Sequence, residues 1–235
     1  MIDIVKAIEK EKEYLSYRRK GEEPFHLIDA VKECGFDSLS DYFKAKTEHT
    51  FNSLDFSFIA KKPSECIDYF FYMMNTKETG VVFIDSDETF VFSGESKPYN
   101  AEFCEANKIP IYPLHTKGGA IVSTEGDFSI GICFPEYVGA DVFFILSKLK
   151  GIFGKYMQGV TVNGNDLLLN GEKICGSIMY HQNSMKCFAC HFSFKDNSEL
   201  IKKVCDISGS IKTPSVISGL TVDMLKEELC RWLSL

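Results

Sequence analysis

The dipeptide Asn170-Gly171 lies between two short apolar runs, Asp166-Leu167-Leu168-Leu169 and Glu172-Lys173-Ile174-Cys175. Asn-Gly in that setting predicts a two-residue type I′ hairpin, because both central residues of the turn need positive φ and these two accept it most readily. The turn sets a register in which Leu169 faces Glu172, Leu168 faces Lys173, Leu167 faces Ile174 and Asp166 faces Cys175. One face of the sheet then carries Leu167, Leu169 and Ile174, and the other carries Asp166, Leu168, Lys173 and Cys175. An acid, a cation and a thiol project together from a hairpin anchored on its apolar side. Gly176 follows at once and leaves room for a backbone or a ligand to come close.

A lysine held on a sheet offers a compact charge with three donors, suited to a phosphate or an activated acyl carbonyl. The same spacing allows a diagonal surface ion pair between Asp166 and Lys173, contributing roughly 0 to 1 kcal/mol. Spacing alone leaves both readings open.

With 235 residues, 45 % of them hydrophobic, the chain can bury a substantial core in one domain, or in one domain with an extension. The formal charge of −7 argues against a binder of phosphate backbones, so nucleic acid is not an expected partner. No apolar run reaches the ~18 to 20 residues of a membrane span, and the first residues lack a signal-peptide core. A cytoplasmic protein with no membrane partner is expected. Nine cysteines, scattered without regular spacing, suit a reducing compartment, most of them as small buried hydrophobes. Cys187-Phe188-Ala189-Cys190-His191 fits the haem-c attachment pattern, and Cys187 with Cys190 is half of a zinc site. Phe188, Cys190, Phe192 and Phe194 read instead as one face of a strand, and no second C-x-x-C pair exists, so no metal is expected.

Residues 1–50 are expected to be helical, with Ile4, Ile8 and Leu15 on one stripe, Leu27, Ile28 and Val31 on another, and Ser38 or Ser40 capping a third helix. Arg18-Arg19-Lys20 reads as a solvated helix end. Beyond a boundary near residue 50, the order is a strand at Asp55–Ile59, a helix at Ser64–Asn75 entered through Pro63, and strands at Gly80–Ile84 and Thr89–Ser93. A helix at Ala101–Asn107 and strands flanking a glycine loop follow. Gly139–Tyr156 reads as a long helix with Val142, Ile145, Leu146 and Leu149 inward and Phe143, Phe144 and Phe153 as core packing. After the hairpin come a phenylalanine-rich strand and helices at Ser198–Val204 and Thr221–Trp232. The pattern is α+β, a largely antiparallel mixed sheet backed by helices.

Asn165-Asp166-Leu167 and Asn170-Gly171-Glu172-Lys173-Ile174-Cys175-Gly176 resemble the N-D-[LI]-x(3)-G-x-K-[IV]-x-G signature of lipoate-protein ligases and biotin protein ligases, with octanoyltransferases as more distant relatives. Upstream, Asn100–Cys104, Asn107–Ile111 and Thr116–Val122 are similar to the lipoate-ligase run that leads into R-R-x-[ST]-G-G-G-A-V. Gly126-Asp127-Phe128-Ser129-Ile130 parallels the family's G-[ND]-L-[NS]-[YF] strand, and His191 falls where the family often has His-Gly-Thr. The resemblance covers roughly residues 56–235. It departs at Pro113 and Leu114, which replace two arginines, at Lys117, which replaces the first loop glycine, and at Val122-Ser123-Thr124, which replace an aromatic-His-Asp run.

The resemblance implies a biotin/lipoate ligase-like catalytic domain at 51–235 behind an N-terminal helical extension at 1–50. It implies an acyltransferase that attaches a lipoyl, octanoyl or related acyl group to a lysine of a carrier domain. The alternative is a ligase-derived, non-catalytic protein that binds a small carboxylate or a lipoyl-type carrier domain. Lys173, Asp166 and Asn165 would be catalytic, and Thr116, Lys117, Gly118, Gly119, Ala120 and Gly176 would bind substrate. Cys175 would be a nucleophile in a transferase, with buried packing as its other reading. ATP and Mg2+ are implied for a ligase, and no cofactor for a transferase or a binding protein. The implied partners are a lipoyl-type carrier domain, a small carboxylate or acyl-adenylate, and a small accessory protein.

Overall fold

The computed structural model describes residues 2–22, 25–96, 99–116, 119–205 and 217–234. They form two compact units, one running to Leu54 together with Val138–Ala140, the other comprising Asp55–Tyr137 and Asp141–Ser234.

The first unit contains α1 (Ile4–Arg19), α2 (Leu27–Glu33) and α3 (Leu39–Asn52). Asp3 caps α1 by accepting from the Lys6 amide at 3.0 Å, and Ser38 caps α3 by accepting from the Asp41 amide at 3.1 Å. Ala7, Val31, Cys34, Phe36 and Tyr42 form its core. The expected stripe on α1 is corrected at Leu15, which is 44 % exposed, while Ala7 and Glu11 turn inward. Glu11 is tolerated there because it accepts from the Tyr42 hydroxyl at 2.7 Å and pairs with Lys46.

The second unit runs β1 (Ser57–Ala60), α4 (Pro63–Thr76), β2 (Gly80–Asp85), β3 (Phe90–Ser93), α5 (Ala101–Ala106), β4 (Ile111–Pro113) and β5 (Ala120–Ser123). It continues with β6 (Phe128–Pro135), α6 (Val142–Phe153), β7 (Val160–Asn163), β8 (Asp166–Leu169), β9 (Glu172–Gln182), β10 (Met185–Phe192), α7 (Ser198–Cys205) and α8 (Val222–Leu233). Among the described residues the strands make a seven-stranded sheet, β1-β2-β6-β10-β9-β8-β7, and a three-stranded sheet, β4-β3-β5. Only β1 with β2 and β3 with β4 run parallel. The architecture is the α+β fold with a mostly antiparallel sheet that the sequence pattern implies.

Helix α4 starts with Pro63 at its first turn, where a missing N–H costs nothing, and ends on Lys77 in the left-handed region at φ 60°. Its inner stripe, Cys66, Phe70, Met73 and Met74, packs on one sheet face against Val82, Ile84, Cys133 and Cys187. Phe70 sits so close to β6 that a Cβ on Gly131 would lie 2.2 Å from its ring. On the other face α6 places Phe153 on Phe192, ring centroids 5.3 Å apart, and buries Ile145, Leu146 and Leu149 completely. Helix α6 is shorter than expected because Asp141 caps it, accepting from the Phe144 amide at 2.7 Å. Phe143 is not core, since the register that buries Ile145 and Leu149 leaves it 63 % exposed.

Candidate functional site

The hairpin forms where Asn170-Gly171 predicts it, with φ +52° and +88° at the two turn residues. Its register departs from strict alternation. Leu169 pairs with Glu172 and Leu168 with Lys173, but Leu167 pairs with Cys175 and Asp166 with Gly176. Ile174 is the extra residue of a β-bulge, so the expected pairs Leu167–Ile174 and Asp166–Cys175 are corrected. Ile174 and Cys175 are both 1 % exposed, so the bulged strand stays buried at both positions. The bulge moves Cys175 to the face of Leu167 and leaves Lys173 with Asp166 and Gly176 on the other.

That second face is crossed by one row of paired residues. Ile84 of β2 pairs with Ser129 of β6, Ser129 with His191 of β10, His191 with Gly176 of β9, and Gly176 with Asp166 of β8. At the far end β8 is paired by β7 through Gly164-Asn165, a short strand that the apolar pattern did not predict. The main-chain carbonyl of Asn165 accepts from the Ser177 amide at 3.0 Å and from its hydroxyl at 2.7 Å, which fixes the turn over β9.

The row floors a cavity of about 360 Å3, within the size range of small-molecule sites. Cys66 and Phe70 of α4, Ile84, Phe92, Leu114 and Ile178 make its apolar wall. Ser129, His191, Asp166, Lys173, Asn165 and Thr116 bring polar groups to it. Leu114 is pinned from both sides, its carbonyl accepting from the Tyr180 hydroxyl at 2.8 Å and its amide donating to Ser93 at 2.9 Å. Lys173 Nζ lies 2.8 Å from Asp166 Oδ1, each side chain about a third exposed at 37 % and 36 %. It leans over Gly176, where a Cβ would stand 2.7 Å from Nζ. The space left by that glycine is used first by the lysine itself.

Of the residues singled out from sequence, Thr116, Gly119, Ala120, Asn165, Asp166, Lys173 and Gly176 all line this one cavity. Lys117 and Gly118 lie outside the described residues. Gly119 is exposed, and a Cβ there would meet nothing within 4 Å. The loop is held by the end of β3: Gly94 donates to Gly119 at 2.9 Å and Glu95 to Thr116 at 2.6 Å. Cys175 does not project with Lys173. It borders a smaller cavity of about 150 Å3 that Lys173 and His191 also line, but its side chain is 1 % exposed and its partner across the sheet is Phe192. Cys187 and Cys190 point to opposite faces of β10, as residues three apart on a strand must, so they do not converge on a metal.

Two residues escaped the sequence reading as parts of the site. His191 is 8 % exposed, and its Nδ1 is 2.9 Å from Ser129 Oγ. Burial lowers its pKa to about 4; the charge of Asp127 works against that shift and the charge of Lys173 adds to it. The signal for Ser129 and His191 is their pairing between β6 and β10, 62 positions apart, which local patterning does not reveal.

The site is thus an apolar cavity with a lysine of the bulged hairpin in its lining. No known family profile and no curated protein matches the sequence. Solved structures do. LipL1 of P. falciparum, determined in complex with lipoate, superposes with a TM-score of 0.65 at 10 % identity, covering 76 % of this chain and 59 % of that one. A lipoate-protein ligase A bound with ATP gives a TM-score of 0.62 at 12 % identity, covering 77 % of this chain and 85 % of that one. The bi-partite lipoate protein ligase of Thermoplasma acidophilum, studied with its E2 lipoyl domain, gives 0.60 at 12 % identity over 77 % and 83 %. Biotin protein ligases are also among the similar structures. The chain has the fold of the lipoate- and biotin-protein ligase catalytic domains, and it spans less than two thirds of the P. falciparum chain.

Proposed function

We propose that the chain is a divergent member of the lipoate-ligase family that transfers a lipoyl, octanoyl or related acyl group to a lysine of a lipoyl-type carrier domain. The observation that carries this reading is the placement of Lys173 at the mouth of the 360 Å3 apolar cavity. An acyl chain in that cavity would leave its carbonyl at the lysine, whose charge would stabilise the oxygen as negative charge develops. Asp166 would orient Lys173, and Asn165 on the rim would meet the acceptor amine. Gly119 leaves the loop side open to the substrate.

ATP and Mg2+ belong to a ligase route, and the side chains on hand do not fit that route. Among the described lining residues Lys173 is the one lysine or arginine, and it is already paired with Asp166. Leu114, in the apolar wall, and Pro113 stand where the resemblance would put two arginines. A single engaged cation among the described residues matches an acyl carbonyl better than a triphosphate. The transferase route, in which the acyl group arrives already activated, is therefore favoured. The same shortage of cations favours a second reading, a non-catalytic binder of a small carboxylate or carrier domain. A small accessory protein and a cytoplasmic setting complete the proposal. The nine cysteines, all free, accord with a reducing compartment.

The test is incubation with a lipoyl carrier domain and octanoyl thioester, or with lipoate, octanoate or biotin plus ATP, reading carrier mass and pyrophosphate. Carrier acylation from the thioester without pyrophosphate is expected. Binding of octanoate with no acylation from either donor would leave only the binding reading, and no binding of any of these acids would end both.

A further inference from the structure

The acyl-cavity reading leaves unused the contact between Ser129 and His191. Both side chains are buried, at 4 % and 8 % exposure, and both line the cavity floor. The serine oxygen is 2.9 Å from Nδ1 of the imidazole. The other ring nitrogen, Nε2, is a buried polar atom with no hydrogen-bond partner among the described residues. A buried polar group left without a partner is costly, and each such group calls for an explanation, a catalytic role among them.

Asp127 lies on the Nε2 side of the ring, its Oδ2 3.9 Å away. It is 1 % exposed and fixed by N–H donors from Phe194 at 2.9 Å, Thr124 at 2.8 Å and the Asn197 amide at 2.8 Å. A carboxylate beside Nε2 favours the tautomer that carries its proton there, which leaves Nδ1 as the acceptor for the serine hydroxyl. Burial keeps the ring neutral at ordinary pH, so Nδ1 has a lone pair open to the serine hydroxyl. The thiols nearby lack such an arrangement. Cys175 faces away, and Cys66, on the cavity wall, donates to the Pro63 carbonyl at 3.1 Å and is pushed up to about 12 by burial.

We propose that Ser129 is an acyl-accepting nucleophile, that His191 is its general base, and that Asp127 is a positioning residue which fixes the imidazole tautomer. This rests on reading the cavity as an acyl site, and the substrate class is an activated acyl donor, a thioester or ester. Ser129 Oγ attacks the carbonyl carbon while its proton passes to Nδ1. The carbon–sulfur bond of the thioester then breaks, and the departing thiolate takes that proton, leaving an ester on Ser129 and a free thiol. A lysine amine, or water, attacks the ester, gives its proton to Nδ1, and Ser129 leaves and recovers it. The balance needs no nucleotide and no oxidant. Ser129 and Gly176 are two strand spacings apart, about 5 Å each, so an acyl carbonyl at Ser129 lies deeper in the cavity than Lys173.

The experiment mixes the protein with p-nitrophenyl octanoate, follows nitrophenolate and maps the acyl-protein by peptide mass spectrometry. A stoichiometric burst with a hydroxylamine-sensitive octanoyl ester on Ser129 is expected. Ser129→Ala should lose the burst, and His191→Gln should slow it about 10²- to 10⁴-fold, while both still bind octanoate in a calorimeter. Should Ser129→Ala fail to fold, the adduct map of the unaltered protein decides. For Asp127, Asp127→Asn should move the acid limb of the acylation profile to lower pH, Asp127 and the Asp166-paired Lys173 being the charged groups against the ring; an unmoved limb removes Asp127 from the relay. Octanoate binding with an unlabelled Ser129, or with an unchanged burst in Ser129→Ala, would overturn the relay and leave the acyl cavity standing. Failure of the unaltered protein to bind octanoate would overturn both.

Discussion

The ammonium of Lys173 occupies the space that a side chain at residue 176 would need. A Cβ on Gly176 would come within 2.7 Å of Nζ and 2.9 Å of Cε. The bulge at Ile174 creates this overlap, because it brings Gly176 opposite Asp166 and so places the acid, the glycine and the lysine in one corner.

Gly176→Ala should therefore act on function through Lys173. The colliding atoms are the end of a flexible side chain, which can swing into solvent, so the change in stability should stay near the ±0.5 kcal/mol of surface substitutions. Acyl transfer or carboxylate binding should fall toward the level of a protein lacking the lysine. Urea unfolding paired with a turnover or binding assay checks this, and full activity in Gly176→Ala would show that the lysine does not need its present position.

Removing the ammonium directly gives a larger separation of stability from function. Lys173 opens no core cavity when truncated, and its ion pair with Asp166 is a third exposed, so Lys173→Ala should melt close to the unaltered protein. Loss of a charge-assisted contact to a developing oxyanion costs roughly 2.7 to 4 kcal/mol, about 10² to 10³ in rate. Lys173→Arg keeps the charge but changes its reach, and should rescue only in part. Wild-type turnover and binding in Lys173→Ala would make the pair an ordinary surface contact.

Cys175 should behave as packing. Its side chain is 1 % exposed, on the face of β9 that carries Leu167 and Phe192 as partners. Cys230 is the one cysteine that is not fully buried, so a maleimide on the native protein should label Cys230 first and Cys175 only after unfolding. Cys175→Ala should keep acyl transfer. Rapid native labelling of Cys175, together with inactivity of Cys175→Ala, would restore it as a nucleophile.

What the sequence reveals here is local, and what it hides is pairing at a distance. Asn170-Gly171 announces its turn, Pro63 its helix, and the seven described residues that converge on the cavity carry motif signals of their own. The bulge is invisible because Leu167-Leu168-Leu169 and Ile174-Cys175 offer equally apolar partners in either register. Strand β7, Val160–Asn163, is missed because its only sheet neighbour among the described residues is β8, a pairing made through the Gly164-Asn165 turn. Ser129 and His191 carry no local mark of their contact. Their meeting depends on β6 pairing with β10.

The buried imidazole predicts a pH dependence whose sign can be worked out. In the unfolded chain His191 titrates near its ordinary 6.5, and in the folded protein burial lowers it to about 4, against the pull of Asp127 and with the push of Lys173. Between those values the unfolded chain binds the extra proton and the folded one does not, so stability rises with pH across that window. The contribution is fully present above 6.5 and is lost as pH falls toward 4, in total roughly 3 kcal/mol at 1.36 kcal/mol per unit. His191→Gln keeps a polar side chain on Ser129 and has no proton to take up. Denaturant unfolding at pH 7 and pH 4.5 should then show a loss of stability in the unaltered protein that exceeds the loss in His191→Gln by about 2 kcal/mol. Equal losses in the two proteins would mean that His191 keeps its ordinary titration in the folded state.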